Sequence, residues 1–314
     1  MVEEIKVAYV FPGEECRTVG MGLDLHVHYS SVREVFDEVD KTLGFPLSRL
    51  CFEGPEEELI QTTNVQPAVL ATSIACLRAA QEASDNSLPP PTFVAGHGLG
   101  EYTALVVAGV LSLSDAIRLV RERGRLMNEA GQRRQGGMLA INGLDIETVR
   151  AICLSVGTEI SNINSPDQLV ISGDQDSLTK AKRLMQIKRA RRITPLKMSS
   201  AFHSSLMEPA LERLRSVISE FTFQKPSAPI VANVTAQPLT DITAIKEGLV
   251  SQIVHCIKWQ QSIETMIGSG VSTFFEMGPG TELTGWIKRI SPGAQTYNIS
   301  NTQTVNEMIR WRKG

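Results

Sequence analysis

Glycines at positions 96, 98 and 100 crowd around His97 and Leu99 in the stretch Val94-Ala95-Gly96-His97-Gly98-Leu99-Gly100-Glu101-Tyr102. A short apolar run enters this corner, and Thr103-Ala104-Leu105-Val106-Val107 leaves it as a helix former. A buried strand that turns this sharply into a helix lifts one side chain clear of the backbone at the head of a parallel sheet, where it can attack an acyl carbon. The pattern for such a corner is glycine, any residue, serine, any residue, glycine. Gly96 and Gly100 fill the outer places, and Gly98 stands where the serine belongs. The corner is shaped for nucleophilic catalysis, and its hydroxyl is missing.

Other residues carry chemistry on weaker local signals. His203, in Ser199-Ser200-Ala201-Phe202-His203-Ser204-Ser205, has the near-neutral side chain a general base needs, although a lone histidine at a strand end is more often structural. Arg121, Arg123 and Arg125 alternate along a helix, and that spacing alone describes a solvated face. Glu14-Glu15-Cys16-Arg17 follows the turn Phe11-Pro12-Gly13. Lys188-Arg189-Ala190-Arg191-Arg192 is the densest positive cluster, and ordinary surface is its simplest reading. Cys16, Cys51, Cys76, Cys153 and Cys256 are scattered and form no Cys-x-x-Cys pair or ligand-spaced set with the five histidines. Reduced thiols and no metal centre are therefore expected.

The elements that must position these residues follow from periodicity. Lys6-Val7-Ala8-Tyr9-Val10-Phe11 reads as a buried first strand ended by Pro12-Gly13. Residues 24 to 83 read as helices, with Gln66-Pro67-Ala68 opening a mostly apolar one that core packing explains. Ser84 to Pro91 is a surface loop feeding the corner, and Leu111 to Met127 is a helix with a basic C-terminal half. From Gly136 the pattern changes. Met138–Ile141, Glu159–Asn162, Gln168–Gly173 and Arg192–Leu196 read as strands, and Ile146–Leu154 and Gln175–Gln186 as helices. That order, βαββαβ, is the ferredoxin-like arrangement, a small subdomain set into a larger one.

Several of these words together resemble the malonyl-CoA:acyl carrier protein transacylase family, which includes the acyltransferase domains of polyketide synthases. They are Phe11-Pro12-Gly13, Gly20-Met21-Gly22, Thr62-x-x-x-Gln66-Pro67-Ala68, Gly96-His97-x-Leu99-Gly100-Glu101-Tyr102, Asn162-x-Asn164-x-Pro166-x-Gln168-x-Val170-x-x-Gly173, Ala201-Phe202-His203-Ser204, Ile230–Thr235 and Phe274–Gly285. The resemblance covers nearly the whole chain. It implies an α/β-hydrolase-like large domain with a parallel central sheet, residues 1–131 and 199–314, carrying the ferredoxin-like subdomain at 132–198. It implies transfer of a malonyl group from coenzyme A to the phosphopantetheine thiol of acyl carrier protein through an acyl-serine, with no cofactor beyond the thioester substrate.

By register with the family, position 98 is the nucleophile, His203 the general base and Arg123 the partner of the malonyl carboxylate, through two parallel hydrogen bonds. The backbone N–H groups of Glu14 and Leu99 form the oxyanion hole. The family loop reads Phe-Pro-Gly-Gln-Gly-Ser-Gln, so Glu14-Glu15-Cys16-Arg17 departs from it, and Glu15 takes a place where glycine reaches positive φ cheaply. Lys258 stands where relatives carry glutamine before Trp259, in the region whose backbone carbonyl orients the histidine. A cation there is expected to lower the His203 pKa. The basic cluster at 188–192 would meet coenzyme A phosphates or an acidic carrier protein.

With 314 residues, 42% hydrophobic and 21% charged content and a net charge of -3, the chain has a sizeable core and no global basic field for nucleic acid. No apolar run reaches membrane-spanning length, and Met1–Lys6 is no signal peptide, so a cytoplasmic monomer is expected. Three readings of Gly98 stay open. It is a substitution that prevents acyl-enzyme formation, it marks a natural relative that binds acyl-CoA or carrier protein without turnover, or His203 activates water in a slow thioesterase. Cys16 is a conceivable substitute nucleophile, and an ordinary buried thiol is its simpler reading.

Overall fold

The computed structural model describes residues 5–198 and 200–313. Met1–Glu4, read above as no leader, and Ser199 of the histidine stretch lie outside the described residues.

Strands are numbered in chain order: β1 Val7–Phe11, β2 Phe93–Gly96, β3 Gly137–Asn142, β4 Glu159–Ser165, β5 Gln168–Gly173, β6 Arg192–Pro195, β7 Ile230–Val231, β8 Pro238–Leu239, β9 Thr273–Met277 and β10 Gln295–Ile299. Six of them form one sheet in the order β10-β9-β1-β2-β7-β8. All its pairings are parallel except β7 with β8. Every residue of β1 is buried, which is why its sequence is a continuous apolar run: both faces of a parallel sheet are covered. One face packs on the helices Thr62–Ala83 and Leu113–Arg133, the other on Trp259, Ile263, Leu283 and Trp286. Phe11 lies opposite Gly96, so β1 and β2 end side by side and deliver the Glu14 loop and the glycine corner to the same sheet edge. The carboxyl ends of parallel strands are where such sheets bind ligands.

The second sheet is antiparallel, in the order β4-β5-β3-β6, with the helices Ile146–Val156 and Gln175–Ile187 crossing over it. The protein is thus a mixed α/β fold of two parts, as the periodicity predicts. One strand differs. β4 runs on to Ser165, where the sequence suggests an end at Asn162, because register shifts between Ile160 and Asn162 and between Ile163 and Ser165 break the alternation that marks a strand. Such bulges re-aim side chains, and here they bring Asn162 and Asn164 to the wall between the sheets.

The small sheet is joined to the large part by main chain. Ile257 donates its N–H to Ser161 O at 2.8 Å and accepts from Ile163 N at 2.9 Å. On another side of the cleft, Arg17 donates from Nη2 to Lys197 O at 2.7 Å and from Nη1 to Glu14 O at 3.3 Å.

Candidate active site

The corner is built by close approach. A Cβ on Gly100 would lie 2.1 Å from Phe11 O, and one on Gly96 would lie 1.9 Å from the Gly100 backbone, so only glycine lets helix and strands meet there. Gly98 has φ +53°, the left-handed conformation that an elbow residue must take. Asn233 pins it from both sides: its Oδ1 accepts from Gly98 N at 2.7 Å and its Nδ2 donates to Gly96 O at 2.6 Å. A Cβ placed on Gly98 would meet His203 Nε2 at 3.4 Å, ordinary contact, and nothing but that imidazole within 4 Å.

His203 is therefore aimed at the vacant side-chain position. Its Nδ1 lies 2.7 Å from Gln252 O, and a carbonyl only accepts, so Nδ1 carries the proton and Nε2 presents its lone pair towards Gly98. Burial pushes the imidazole pKa down to about 3, helped by the charge of Arg123; the bond to Gln252 and the charge of Glu15 act the other way. His203 itself sits at φ +55°.

Arg123 is 1% exposed and has no carboxylate within ion-pair distance among the described residues. Its Nη1 donates to Gln66 Oε1 at 2.7 Å and its Nη2 to Gln252 Oε1 at 2.9 Å, while Nε has no acceptor. Gln66 donates to Thr62 Oγ1 at 2.9 Å, and Thr62 donates to Glu14 Oε2 at 3.0 Å. Thr62 and Gln66, one turn apart on a single helix, thus relay Arg123 to Glu14. Burial lifts the Glu14 carboxyl to about 7 despite Arg123 and Thr62. Glu101, bonded to Gln252 Nε2 at 2.6 Å, is likewise lifted to about 7 by burial.

The cavity above these groups measures about 250 Å³ and is walled by Glu14, Glu15, His97, Gly98, Leu99 and His203, with Asn162, Asn164, Phe202 and Trp286 opposite. Arg123 lies outside that wall. Glu14 and Leu99 both face the cavity, and neither backbone N–H has an acceptor among the described residues. Glu15 Oε1 stands 3.2 Å from His97 Nδ1. His97 Nε2 lies 2.9 Å from Asn164 Oδ1, and the imidazole is boxed by Trp259 and Trp286. Burial raises the Glu15 carboxyl, but His97 and then His203 outweigh it, and the net shift is downward.

Gly98, His203, Glu14 and Leu99 therefore meet at one cavity, with Arg123 tied to it through glutamines. Three expectations change. Glu15 lies in a short 3-10 turn, Glu14–Cys16, outside the left-handed region, so its lack of glycine's freedom costs nothing there. The carbonyl that orients His203 belongs to Gln252, not to the Lys258 region, and the cation acting on His203 is Arg123; Lys258 acts instead on Cys256. Cys16 keeps its simpler reading as a buried thiol: it donates to Glu282 Oε2 at 3.2 Å, and burial raises it far above the ordinary range, which leaves no thiolate for attack. Thr62 and Gln66, read as core, are site residues. Gln252 escaped sequence reasoning altogether: it ends the helix Ile242–Gln252, where carbonyls are left free, but nothing in the sequence says which helix end meets the histidine. In the basic cluster Arg191 is engaged, pairing with Asp167 at 2.7 Å.

A histidine whose Nε2 faces the elbow residue, beside backbone donors with no acceptor, is an arrangement that fits a protein of the acyl-transfer class. The profile described as "Acyl transferase domain" matches residues 8–314, and the chain belongs to that family. It is 40% identical over 313 residues to the malonyl CoA-acyl carrier protein transacylase of Bacillus subtilis, covering 98% of each chain. Among solved structures it resembles an acyl carrier protein S-malonyltransferase from Vibrio cholerae, with 38% identity, a TM-score of 0.92 and coverage of 96% of this chain and 99% of that one. It also resembles a malonyl-transacylase solved in complex with a type II polyketide-synthase acyl-carrier protein, with 37% identity, a TM-score of 0.94 and coverage of 97% and 99%.

Proposed function

We propose that this chain recognises malonyl thioesters as a malonyl-CoA:acyl carrier protein transacylase does, in fatty-acid or polyketide synthesis, with acyl transfer crippled at the nucleophile. The observation that carries this reading is the buried Arg123 guanidinium, a cation without a carboxylate, wired through Gln252 to both His203 and Gly98. A buried unpaired cation is costly, and the carboxylate of a malonyl group supplies its missing charge. In the complete design the residue at 98 attacks the thioester, His203 moves the proton, and the N–H groups of Glu14 and Leu99 hold the oxyanion. Here the first part is lacking. Removing the nucleophile from a comparable serine site costs roughly 10⁴ to 10⁶-fold in turnover.

Coenzyme A and acyl carrier protein are the thiol partners of this reading, the thioester is the only cofactor-like group, and the protein works as a cytoplasmic monomer with its small part spanning residues 132–198. Intact-protein mass spectrometry after incubation with malonyl-CoA tests it, on this chain and on Gly98→Ser. The expected result is a malonyl adduct on Gly98→Ser alone. Absence of an adduct from both would overturn the transacylase site and leave a relative that binds acyl-CoA or carrier protein without turnover.

A further inference from the structure

We propose that this site hydrolyses the malonyl thioester directly: water in the space over Gly98 replaces the serine hydroxyl, His203 takes its proton, and Glu15 stabilises the imidazolium that forms. The proposal rests on the malonyl-thioester reading and names the reaction of that same site.

The space is there. Among the described residues, and apart from its own chain neighbours, only the His203 imidazole comes within 4 Å of a Cβ on Gly98, so the volume a serine side chain would fill is open to the cavity and faces the Nε2 lone pair. One water needs little more than a probe sphere of room and two or more polar neighbours. The base is oriented by a neutral carbonyl alone, through Nδ1. In serine hydrolases an anion beside the histidine stabilises the imidazolium that forms on proton uptake. Glu15 brings an anion to the wall of this cavity, at a place where the family loop has glycine; its Oε1 stands 3.2 Å from His97 Nδ1, and from there its charge favours protonation of His203, as the smallest of the influences on that imidazole.

The groups acting on His203 come from separate elements. Arg123 from the helix Leu113–Arg133 and His97 from the glycine corner oppose its protonation, and Glu15 from the turn after β1 favours it. Glu14 and Glu101 share the Arg123 network. A malonyl carboxylate at Arg123 removes the largest opposing charge, while burial, the larger cause of the low basicity, stays in place.

The step balances without a further reactant. The water oxygen forms a bond to the thioester carbon as its proton passes to Nε2. The tetrahedral oxyanion, held by the N–H groups of Glu14 and Leu99, collapses with cleavage of the C–S bond. The thiolate takes the proton back from the imidazolium, giving malonate and free thiol.

The test follows malonate and free thiol released from malonyl-CoA, with acetyl-CoA in parallel, intact mass to detect any acyl-enzyme, and calorimetric binding of malonyl-CoA to His203→Asn. Asparagine is chosen because it tolerates the left-handed backbone at 203. The expected result is steady, equimolar malonate and thiol with no protein adduct, slowed about 10² to 10⁴-fold in His203→Asn. Glu15→Gln should lower kcat about tenfold at nearly constant KM and move the acid limb of the pH profile of kcat/KM to lower pH, since losing the anion weakens the base. Malonyl-CoA that binds but is not hydrolysed above background overturns the hydrolase and leaves the recognition reading standing. Failure to bind overturns both. Hydrolysis unchanged in Glu15→Gln removes Glu15 from the mechanism.

Discussion

Serine at position 98 must adopt φ near +53°, a conformation that costs an L-residue about 1 to 2 kcal/mol over glycine. Its Cβ would meet His203 Nε2 at ordinary contact distance, so strain is the only penalty. Gly98→Ser is accordingly expected to acylate and to unfold at a lower denaturant midpoint by about 1 kcal/mol, measured by urea titration; a stabilised variant would show that the elbow is not strained. Arg123→Lys keeps the charge but cannot span Gln66 and Gln252 together, and leaves one of two buried amide oxygens without its donor. Malonyl-CoA affinity should fall about 10 to 100-fold by calorimetry, and equal affinity would remove Arg123 from the carboxylate site. Of these residues, the corner and His203 could be read from the chain because their neighbours in sequence are also their neighbours in space. Gln252 could not, since its side chain meets Gly98, Glu101 and Arg123 only after the fold brings residues more than a hundred positions apart together.

At the scale of elements, the site depends on how closely two helices approach. A Cβ on Gly124 would lie 2.4 Å from Thr62 O, so the helix carrying Arg123 rests against the backbone of the helix carrying Gln66. Gly124→Ala must push them apart. Overpacking of this kind costs about 1 to 3 kcal/mol, and it should also lengthen the Arg123–Gln66 bond and weaken malonyl-CoA binding. Thermal unfolding together with calorimetry checks both; loss of stability with affinity intact would separate the helix contact from the site. The small antiparallel sheet was legible because two amphipathic helices between alternating strands leave few topologies. The bulged end of β4 was not, since Asn162 and Asn164 are polar residues placed by a register shift that no periodicity encodes.

For the whole molecule, buried ionisable groups set how stability follows pH. Glu14, Glu101 and Glu276 are each lifted from an ordinary value near 4.5 to about 7, so the folded state holds protons that the unfolded chain releases. Their contribution is present below about pH 4.5 and is lost as pH rises through 7. His203 opposes this, staying neutral in the fold while the unfolded imidazole titrates near 6.5. Three groups against one give a net fall of roughly 2 to 5 kcal/mol between pH 5.5 and 8. Urea midpoints at the two pH values measure it, and a midpoint that rises with pH would contradict it.

The main-chain bonds between Ile257 and β4, with Arg17 reaching across to Lys197, hold the small part against the large one on two sides of the cleft. The cleft is a calliper whose setting is written in the backbone. An acyl group is gauged against a gap whose width is set by backbone bonds rather than by side chains that a single substitution could shorten.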